Sequence, residues 1–267
     1  MHYGEIVELG EHRLMCGDST NRNDVMNFIG NSKIDLVLTD PPYGIQVQSP
    51  NSGGKIGGNG RLYPRVIGDM NTDMFKDHWQ ILRTICSFYI IWGGQNFTNV
   101  LPPASGWIFW DKAKNSDKLT FGDGELAWSN ISKRIKKYTY KLNGFIHEGD
   151  KELNKRFHPT QKPVELHIQI LEDFSKPRNI IFDGFGGSGT TLIASELTGR
   201  KCLMMEISPD YCDAIVDRYK RLMDSKKRDE EGQNEGQEAQ QEQQEHQEQS
   251  EELKVQQEGA CENIESK

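Results

Sequence analysis

The sequence predicts an α/β domain built on a mostly parallel sheet, followed by a segment of a different kind. Short apolar runs of strand length alternate along residues 1–223 with segments whose apolar residues recur every three or four positions. Strands that alternate with helices are typical of sheets whose neighbouring strands are parallel. Hydrophobic residues make up 35% of the 267 residues, which is enough to form a core.

Six strands and three helices can be placed along this domain. The strands are predicted from apolar runs at Arg13–Cys16, Ile34–Thr39, Phe88–Trp92, Trp107–Trp110, Asn179–Phe182 and Lys201–Met205. One helix begins at Pro163, because proline suits the first helical position, and a second covers Thr190–Leu197 and is closed by Gly199. The third helix follows Ser208, a good N-cap residue, and has Pro209 in its first position.

The charge of the chain is divided unevenly. The formal net charge is −8, but residues 224–267 hold 14 acidic and 5 basic side chains, which leaves 26 acidic and 27 basic side chains in residues 1–223. The segment 224–267 is rich in Glu and Gln and has no aromatic residue. It cannot bury enough apolar surface to fold, so we expect a disordered low-complexity tail, with a solvated helix as the alternative. The negative charge of the tail argues against binding of a polyanion by the tail, whereas the nearly neutral residues 1–223 carry no such argument.

Composition also excludes several classes of protein. The five cysteines have neither the spacing of a disulfide scaffold nor that of a zinc site. No run approaches the roughly 18 apolar residues that a membrane span needs, and residues 1–18 lack the apolar centre of a signal peptide. We therefore expect a chain with no membrane or metal partner, in the cytoplasm and with reduced thiols.

Two stretches interrupt the alternation of strands and helices. Gln46–Gly68 is rich in Gly and Asn without apolar periodicity, and it is predicted to be a long loop. Lys112–Lys162 holds 12 basic and 6 acidic side chains together with several aromatic residues. Its densest basic run is formed by Lys133, Arg134, Lys136 and Lys137. Such a run suits contacts with nucleic-acid phosphates, and a solvated surface is the alternative.

Acidic residues follow four of the apolar runs. They are Asp18, Asp40, Asp183 and Glu206. In an open α/β sheet the ligand crevice lies outside the carboxyl ends of the strands. We therefore expect these four side chains to point into one cleft, although any single one of them could be an ordinary turn residue.

A glycine-rich motif lies between a predicted strand and a predicted helix. Gly184, Gly186 and Gly189 follow Asp183 at the spacing of a dinucleotide-binding turn, and Glu206 ends the next strand about 20 residues later. No lysine follows Gly189, which excludes a phosphate-binding P-loop. The motif predicts a site for a cofactor that contains adenosine, either NAD or S-adenosylmethionine.

The second motif is Asp40-Pro41-Pro42-Tyr43, which follows a predicted buried strand. Two prolines stiffen the turn and remove two backbone donors, which leaves acceptors beside an aromatic ring. This array suits the exocyclic amino group of a planar base, with Tyr43 stacked on a base that has swung out of a duplex. A structural turn with a packed tyrosine is the alternative.

The motifs together resemble those of a known family. Asp40–Tyr43 is followed by the segment His158–Pro163 and then by the glycine-rich motif, with shorter matches at Cys16–Ser19, Trp92–Gln95, Trp107–Lys112 and Glu125–Trp128. This combination resembles the beta-class DNA amino-methyltransferases, most of all the small adenine methyltransferases of phages and prophages. The resemblance implies a circularly permuted Rossmann-like fold with a catalytic half at residues 1–111 and a target-recognition region at about 112–157. A half that binds S-adenosylmethionine follows at residues 158–223, ahead of the tail at residues 224–267.

The resemblance also assigns roles to individual residues. It makes Asp40, Pro41, Pro42 and Tyr43 the catalytic motif. The loop that binds S-adenosylmethionine is matched by Asp183, Phe185, Gly187, Ser188, Gly189 and Thr190. Glu206 matches the acid that binds the ribose, and Asp18 matches the acid near the adenine ring of the cofactor. The segment that contacts the methionine part is matched by His158, Thr160 and Lys162.

The activity that the resemblance implies is transfer of a methyl group from S-adenosylmethionine to the N6 amine of adenine in duplex DNA. The N4 amine of cytosine is the alternative substrate, because the Asp-Pro-Pro-Tyr motif is not confined to adenine enzymes. An inactive nucleic-acid-binding relative, a protein or RNA methyltransferase and an NAD oxidoreductase are less consistent with Asp40–Tyr43. A homodimer and a separate restriction endonuclease as partner both stay open.

Overall fold

The computed structural model describes residues 1–43, 73–112, 123–140, 142–143, 146–147 and 161–228. The predicted loop Gln46–Gly68, the residues His158 and Thr160, and the tail beyond residue 228 lie outside the described residues. The chain divides into two units, Met1–Tyr219 and Lys220–Lys267, and the sheet belongs to the first. The boundaries expected within the first 223 residues stay predictions.

The described residues form the following elements. The strands are β1 (Ile6–Leu9), β2 (His12–Cys16), β3 (Leu36–Thr39), β4 (Tyr89–Trp92), β5 (Gly106–Asp111), β6 (Gly124–Ser129), β7 (Ile135–Thr139), β8 (Leu142–Asn143), β9 (Ile146–His147), β10 (Ile180–Asp183) and β11 (Lys201–Glu206). The helices are α1 (Arg22–Ile29), α2 (Asp73–Ile85), α3 (Val164–Phe174), α4 (Thr190–Leu197) and α5 (residues 209–228), with a short 3-10 helix at Gly94–Phe97. None of the helices in these ranges is long and apolar enough to cross a membrane.

Nine strands form one sheet in the order β1-β2-β11-β10-β3-β4-β6-β5-β7. β1 and β6 run antiparallel to their neighbours, whereas every other neighbouring pair is parallel. The predicted α/β class with a mostly parallel sheet is confirmed. β10 and β11 come late in the chain but lie between β2 and β3, so the two halves of the chain complete one sheet.

Helices cover both faces of the sheet. On one face α1 and α2 pack against a core that includes Val37, Ile91 and Phe182. On the other face α3 and α4 pack together, and the α3 ring of His167 stacks on Trp92 of β4. Because both faces are covered, all four residues of β3 and of β4 are buried. This is why the central strands have continuous apolar sequences instead of alternating ones.

All six predicted strands are present, with ends that differ by no more than two residues. The helices predicted after Pro163, at Thr190–Leu197 and after Ser208 are present as well. The placement of Pro163 was wrong by one residue, because its ψ of 141° is extended and makes it the N-cap, with α3 beginning at Val164. The elements that were not predicted are β1, β6, β7, the short pair β8 and β9, α1 and α2.

Candidate active site

The carboxyl edge of the parallel strands gathers the four acids that follow predicted strands. Asp40 follows β3, Asp183 ends β10, Glu206 ends β11, and Asp18 lies two residues beyond β2. Because β10 and β11 lie between β2 and β3, acids that are distant in the chain stand at the ends of neighbouring strands. The structure thus brings residues from both halves of the chain to one edge of the sheet.

Two neighbours hold the Asp40 carboxylate. The Tyr43 hydroxyl donates a hydrogen bond to one oxygen, and the Lys162 ammonium donates to the other. Lys162 Nζ also lies 3.3 Å from Glu125 Oε2 and 4.9 Å from the centre of the Trp92 ring. The Asp40 side chain remains 24% exposed, whereas that of Lys162 is 4% exposed. The carboxylate is therefore held by hydrogen bonds from Tyr43 and Lys162 and remains partly exposed.

The charges of this cluster perturb one another. Burial raises the pKa of Asp40, although the Lys162 ammonium opposes the rise. Burial acts to lower the pKa of Lys162, but the charges of Asp40 and Glu125 outweigh it and raise that pKa. Burial acts to raise the pKa of Glu125, but Lys162 and Lys112 outweigh it and lower that pKa. Lys162 is thus protonated and Glu125 ionised at neutral pH.

The Tyr43 ring lies against a glycine that permits its close approach. Gly93 has a φ of +66°, and a Cβ added at this position would overlap the Tyr43 ring. Phe97 contacts the same ring edge-on, with 6.3 Å between the ring centroids. Burial and the nearby Asp40 charge raise the pKa of Tyr43 well above its usual value, so the hydroxyl remains a donor. Stacking of Tyr43 on a base stays a prediction.

The turn between β10 and α4 is shaped by its glycines. Gly187 and Gly189 have φ values of +51° and +77°, a region that favours glycine. The Gly189 N–H donates to the Gly186 carbonyl at 2.7 Å, and the Gly187 N–H donates to Glu206 Oε2 at 2.8 Å. A Cβ at Gly184 would overlap the His78 ring. The turn is therefore compact and lies directly over the end of β11.

The Asp183 carboxylate accepts three hydrogen bonds from the protein. The Thr39 hydroxyl and the Phe185 N–H donate to Oδ1 at 2.7 and 3.1 Å, and the Thr191 hydroxyl donates to Oδ2 at 2.7 Å. Burial nevertheless raises the pKa of Asp183 to about 7. These bonds tie β3, β10 and α4 together beneath the glycine turn. The contact of Asp183 with a cofactor stays a prediction.

Glu206 and Asp18 lie on the neighbouring strand ends of β11 and β2. The Ser208 N–H donates to Glu206 Oε1 at 2.9 Å, and the Gly17 N–H donates to the Glu206 carbonyl at 3.0 Å. Asp18 Oδ1 accepts from the backbone N–H and the hydroxyl of Thr20 at 2.8 and 2.7 Å. Burial raises the pKa of Glu206. Two acids predicted to bind one cofactor are thus joined through the backbone.

Arg218 supports the glycine turn from α5, and it was not singled out in the sequence. Its Nη1 donates to the Ser188 carbonyl at 2.8 Å and lies 3.3 Å from Thr190 Oγ1. The residue is 5% exposed, and burial lowers its pKa to about 10. The available signal was its position three residues after Ile215, which places a charged residue on the apolar face of the predicted helix.

His78 of α2 is a second buried residue that the sequence did not reveal. Its Nδ1 lies 2.9 Å from the Ser19 carbonyl, which can only accept, so Nδ1 carries the proton. Burial lowers the pKa of His78 to about 4, and its ring meets that of Phe185 edge-on with 4.7 Å between centroids. It supports the turn as a neutral ring. No group of His, Cys and acidic side chains in the described part of the chain could hold a metal ion.

Comparison with known proteins identifies the type of domain. Residues 93–217 match a family model of N6/N4 type that is described as DNA methylase. This match, which covers just under half of the chain, assigns residues 93–217 to an N6/N4-type DNA methylase domain. The matched range begins at Gly93, beside the Tyr43 ring, and includes Lys162, the glycine turn and Glu206. The resemblance to DNA amino-methyltransferases is confirmed, whereas the adenine type and the likeness to phage and prophage enzymes stay predictions.

Two relatives match most of this chain. The type II methyltransferase M.HinfI of Haemophilus influenzae is 23% identical over 236 residues, which cover 74% of this chain and 66% of the relative, just under two thirds. The candidate methylase YubD of Escherichia coli (strain K12) is 28% identical over 192 residues, or 69% of this chain and 80% of the relative. Both alignments extend beyond the residues of the family match.

A solved structure shares the fold of the methylase domain. The PvuII DNA methyltransferase, which is cytosine-N4-specific, matches with a TM-score of 0.54 and 17% identity. The match covers 84% of this chain and 97% of the solved chain. At this level of identity the likeness concerns the fold, and it confirms the predicted Rossmann-like methyltransferase architecture.

The methylase domain does not place all four of the predicted DNA-binding residues at the edge where Asp40 lies. β7 is parallel to β5, and the strand directions across the sheet make β7 parallel to β3 as well. Lys133 and Arg134 precede β7 and are exposed at its amino end. They therefore lie at the edge of the sheet opposite to Asp40.

Lys136 and Lys137 lie on opposite faces of β7. Lys136 Nζ pairs with an Asp173 oxygen of α3 at 2.7 Å, and its side chain is 36% exposed. Lys137 Nζ pairs with Asp111 Oδ2, at the end of β5, at 3.0 Å, and its side chain is 60% exposed. Of the two, Lys137 is the more accessible, and its partner Asp111 is the last residue of β5.

Proposed function

We propose that this chain transfers a methyl group from S-adenosylmethionine to the N6 amine of adenine in duplex DNA. The observation that carries the proposal is the Asp40 carboxylate, which is held by buried neighbours and partly open at the edge that also carries the glycine turn. The DNA methylase domain supports the reaction class. The choice of adenine rests on the Asp40-Pro41-Pro42-Tyr43 motif.

The exocyclic amine of a base is a poor nucleophile because its lone pair is delocalised into the ring. The protein must therefore orient this amine for methyl transfer. An acceptor that takes one N–H of the amine directs the nitrogen lone pair out of the ring plane. The open side of the Asp40 carboxylate is suited to this task, and we propose the Pro41 carbonyl as a second acceptor. As the N–C bond forms, the bond between the methyl carbon and the sulfonium sulfur would break, a neutral thioether would leave, and the extra proton of the nitrogen would pass to the Asp40 carboxylate or to water. S-adenosylmethionine, when bound, supplies the electrophilic methyl group.

The residues at the glycine turn fit the proposed cofactor. The turn packs closely against the domain, because a Cβ at Gly184 would meet the His78 ring and one at Gly186 would meet the Met204 side chain, and we propose that its backbone lies against the cofactor. Glu206 and Asp18 place carboxylates at the neighbouring strand ends, where ribose hydroxyls and the adenine amine need acceptors. Arg218 stabilises the turn by donating a hydrogen bond to the Ser188 carbonyl.

The target base must leave the duplex to reach Asp40, because its amine is buried in base pairing. Tyr43 is the proposed stacking partner for the extruded base. Its hydroxyl now donates to Asp40, so the bond must yield or bend when the amine of the base takes up an Asp40 oxygen. Tyr43→Phe should keep much of the activity, because stacking needs only the ring.

DNA contact is proposed for the exposed Lys137, which lies nearer the Asp40 edge than Lys133 and Arg134 do. Lys137→Ala should reduce the slope of log affinity against log salt by about 0.9, the value for one phosphate contact. The matched double variant Lys133→Ala/Arg134→Ala should leave that slope unchanged. A reversed result would move the DNA path to the other edge of the sheet.

The decisive experiment incubates the purified chain with methyl-labelled S-adenosylmethionine and DNA from a host without methylation. Mass spectrometry of the digested nucleosides separates N6-methyladenine from N4-methylcytosine. We expect N6-methyladenine, and Asp40→Ala should lower the single-turnover rate by about 100- to 1000-fold. The exposed variant Asp217→Asn serves as control. N4-methylcytosine would correct the base, and the absence of any methylated nucleoside would favour an inactive nucleic-acid-binding relative.

A further inference from the structure

Four side chains of alternating charge lie in a row that begins at Asp40 and continues through Lys162 and Glu125 to Lys112. The Lys162 ammonium lies between the Asp40 carboxylate and Glu125 Oε2, at 3.3 Å from the latter. The other oxygen of Glu125 pairs with Lys112 Nζ at 2.7 Å. β6 runs antiparallel, so Glu125, near its beginning, reaches the same edge as the ends of the parallel strands.

Lys162 cannot easily leave this arrangement. Its side chain is 4% exposed, and the Trp92 ring, which is fully buried, lies 4.9 Å from its ammonium group. A buried ammonium group needs partners, because losing water without compensation costs several kcal/mol. Asp40 and Glu125 supply two partners, and the Tyr43 hydroxyl lies 3.5 Å away as a third.

The consequence concerns the direction in which Asp40 presents its oxygens. One oxygen is bound by Tyr43 and the other by Lys162, so the carboxylate cannot rotate without breaking a charged hydrogen bond. Glu125 in turn prevents Lys162 from following Asp40, because the ammonium is also attracted to the second carboxylate. A carboxylate held in this way is pre-organised to accept from an incoming amine.

We infer that Lys162 and Glu125 are positioning residues for the methyl transfer: Glu125 holds the Lys162 ammonium, and that ammonium holds the Asp40 carboxylate as an ionised acceptor. The inference rests on the proposed function, since it assigns the purpose of the arrangement. It differs from the role that the family resemblance implies for Lys162, which is a contact with the cofactor, and it gives Glu125 a role of its own.

The arrangement predicts opposite effects of the two residues on Asp40. Lys162 favours the ionised form of Asp40 and lowers its pKa, whereas Glu125, a like charge, raises it. Tyr43 also lowers the pKa of Asp40 through its hydrogen bond. Among the residues that the structure describes, the other titratable groups that interact with the cluster include Lys112, bound to Glu125, Asp183, whose pKa Asp40 helps to raise, and His167, whose pKa Lys162 helps to lower. Charges in these positions shift the pKa of Asp40 whatever their purpose, so a role in positioning must also appear as a lower methylation rate at a pH where Asp40 is ionised in every variant.

The test measures the titration of Asp40 in the full chain by carbon NMR of protein labelled at the aspartate carboxyl carbons. Asp40→Asn identifies the signal. Glu125→Gln should lower the pKa of Asp40 by about one unit, and Lys162→Met should raise it by about one to three units. Lys162→Arg should restore a value near that of the wild type. The exposed pair Lys201 and Glu11, 2.9 Å apart, provides the matched controls Lys201→Met and Glu11→Gln, which should leave Asp40 unchanged.

The same variants are then assayed for methylation of DNA at saturating S-adenosylmethionine across a range of pH. The acidic limb of the single-turnover rate should move to lower pH in Glu125→Gln and to higher pH in Lys162→Met. If Lys162→Met fails to fold, as seen by circular dichroism, Glu125→Gln carries the test by itself. Shifts of one sign, no shifts, or a wild-type rate for Lys162→Met and Glu125→Gln at high pH would overturn the inference. If the variants show the expected pKa shifts of Asp40 but the wild-type chain never methylates DNA, the proposed function would be refuted instead.

Discussion

Asp183 makes the free energy of unfolding depend on pH in a way that can be measured. The carboxyl group is 3% exposed, and burial raises its pKa to about 7, whereas the pKa of an aspartate in an unfolded chain is about 3.9. Between these values the folded chain binds more protons at this site than the unfolded chain does. The stabilising contribution is therefore complete below pH of about 4 and is lost as pH rises towards 7. The two pKa values differ by about three pH units, and each unit corresponds to about 1.4 kcal/mol, so the free energy of unfolding falls by roughly 4 kcal/mol.

Asp183→Asn removes the titration while it keeps the shape of the side chain. The amide oxygen can still accept from Thr39 and Phe185, and the amide nitrogen can donate to the Thr191 hydroxyl. The free energy of unfolding of the variant minus that of the wild type should rise by about 1.4 kcal/mol per pH unit between pH of about 5 and 7 and then level off. Urea unfolding at several pH values provides the measurement.

Glu206, another group with a raised pKa, contributes equally to both proteins, so its effect cancels in the difference. Asp217→Asn, at an exposed position of α5, controls for the chemical change itself. Parallel stability curves for Asp183→Asn and the wild type would refute the reasoning, because they would show that Asp183 has the same proton affinity folded and unfolded.

Three further predictions concern the turn, the base site and the tail. Glu206→Gln removes the charge that accepts from the Gly187 N–H, and calorimetric titration should show the dissociation constant of S-adenosylmethionine raised by about tenfold or more; an unchanged constant would remove Glu206 from the cofactor site. Gly93→Ala places a Cβ in the space of the Tyr43 ring and costs about 1–2 kcal/mol for the left-handed backbone, so melting temperature and single-turnover rate should both fall while cofactor affinity is kept. Loss of cofactor affinity there would mean that the two sites are coupled. Truncation after Arg228 should keep the turnover number within a few-fold of the full chain, and a collapse of cofactor binding would place the tail inside the functional fold.

The sequence by itself determined most of the sheet and the nature of the two motifs. Strands buried on both faces need continuous apolar runs, and such runs are visible without knowledge of any contact, as in Ile34–Thr39. Glycines in the turn after β10 are equally visible, because left-handed backbone at Gly187 and Gly189 is a local requirement. The acids that follow these runs were expected at one edge of the sheet, because parallel strands all end at the same edge.

Helices α1 and α2 were missed although a local signal existed. Phe75, Trp79 and Leu82 recur at helical spacing and are all buried, and Val25, Phe28 and Ile29 show the same pattern in α1. β6 and β7 have a different explanation. They lie towards one end of the sheet, and the antiparallel direction of β6 depends on pairing with β4 and β5, which local sequence does not encode.

The partners of the functional side chains were decided by the tertiary structure alone. Lys162 follows Asp40 by 122 residues, and the two meet because β10 and β11 insert between β2 and β3 and bring the late half of the chain to the early one. Glu125 reaches the same place because β6 is antiparallel. A motif shows which groups a site contains, whereas strand order and strand direction determine which charges meet and hence the proton affinity of each group.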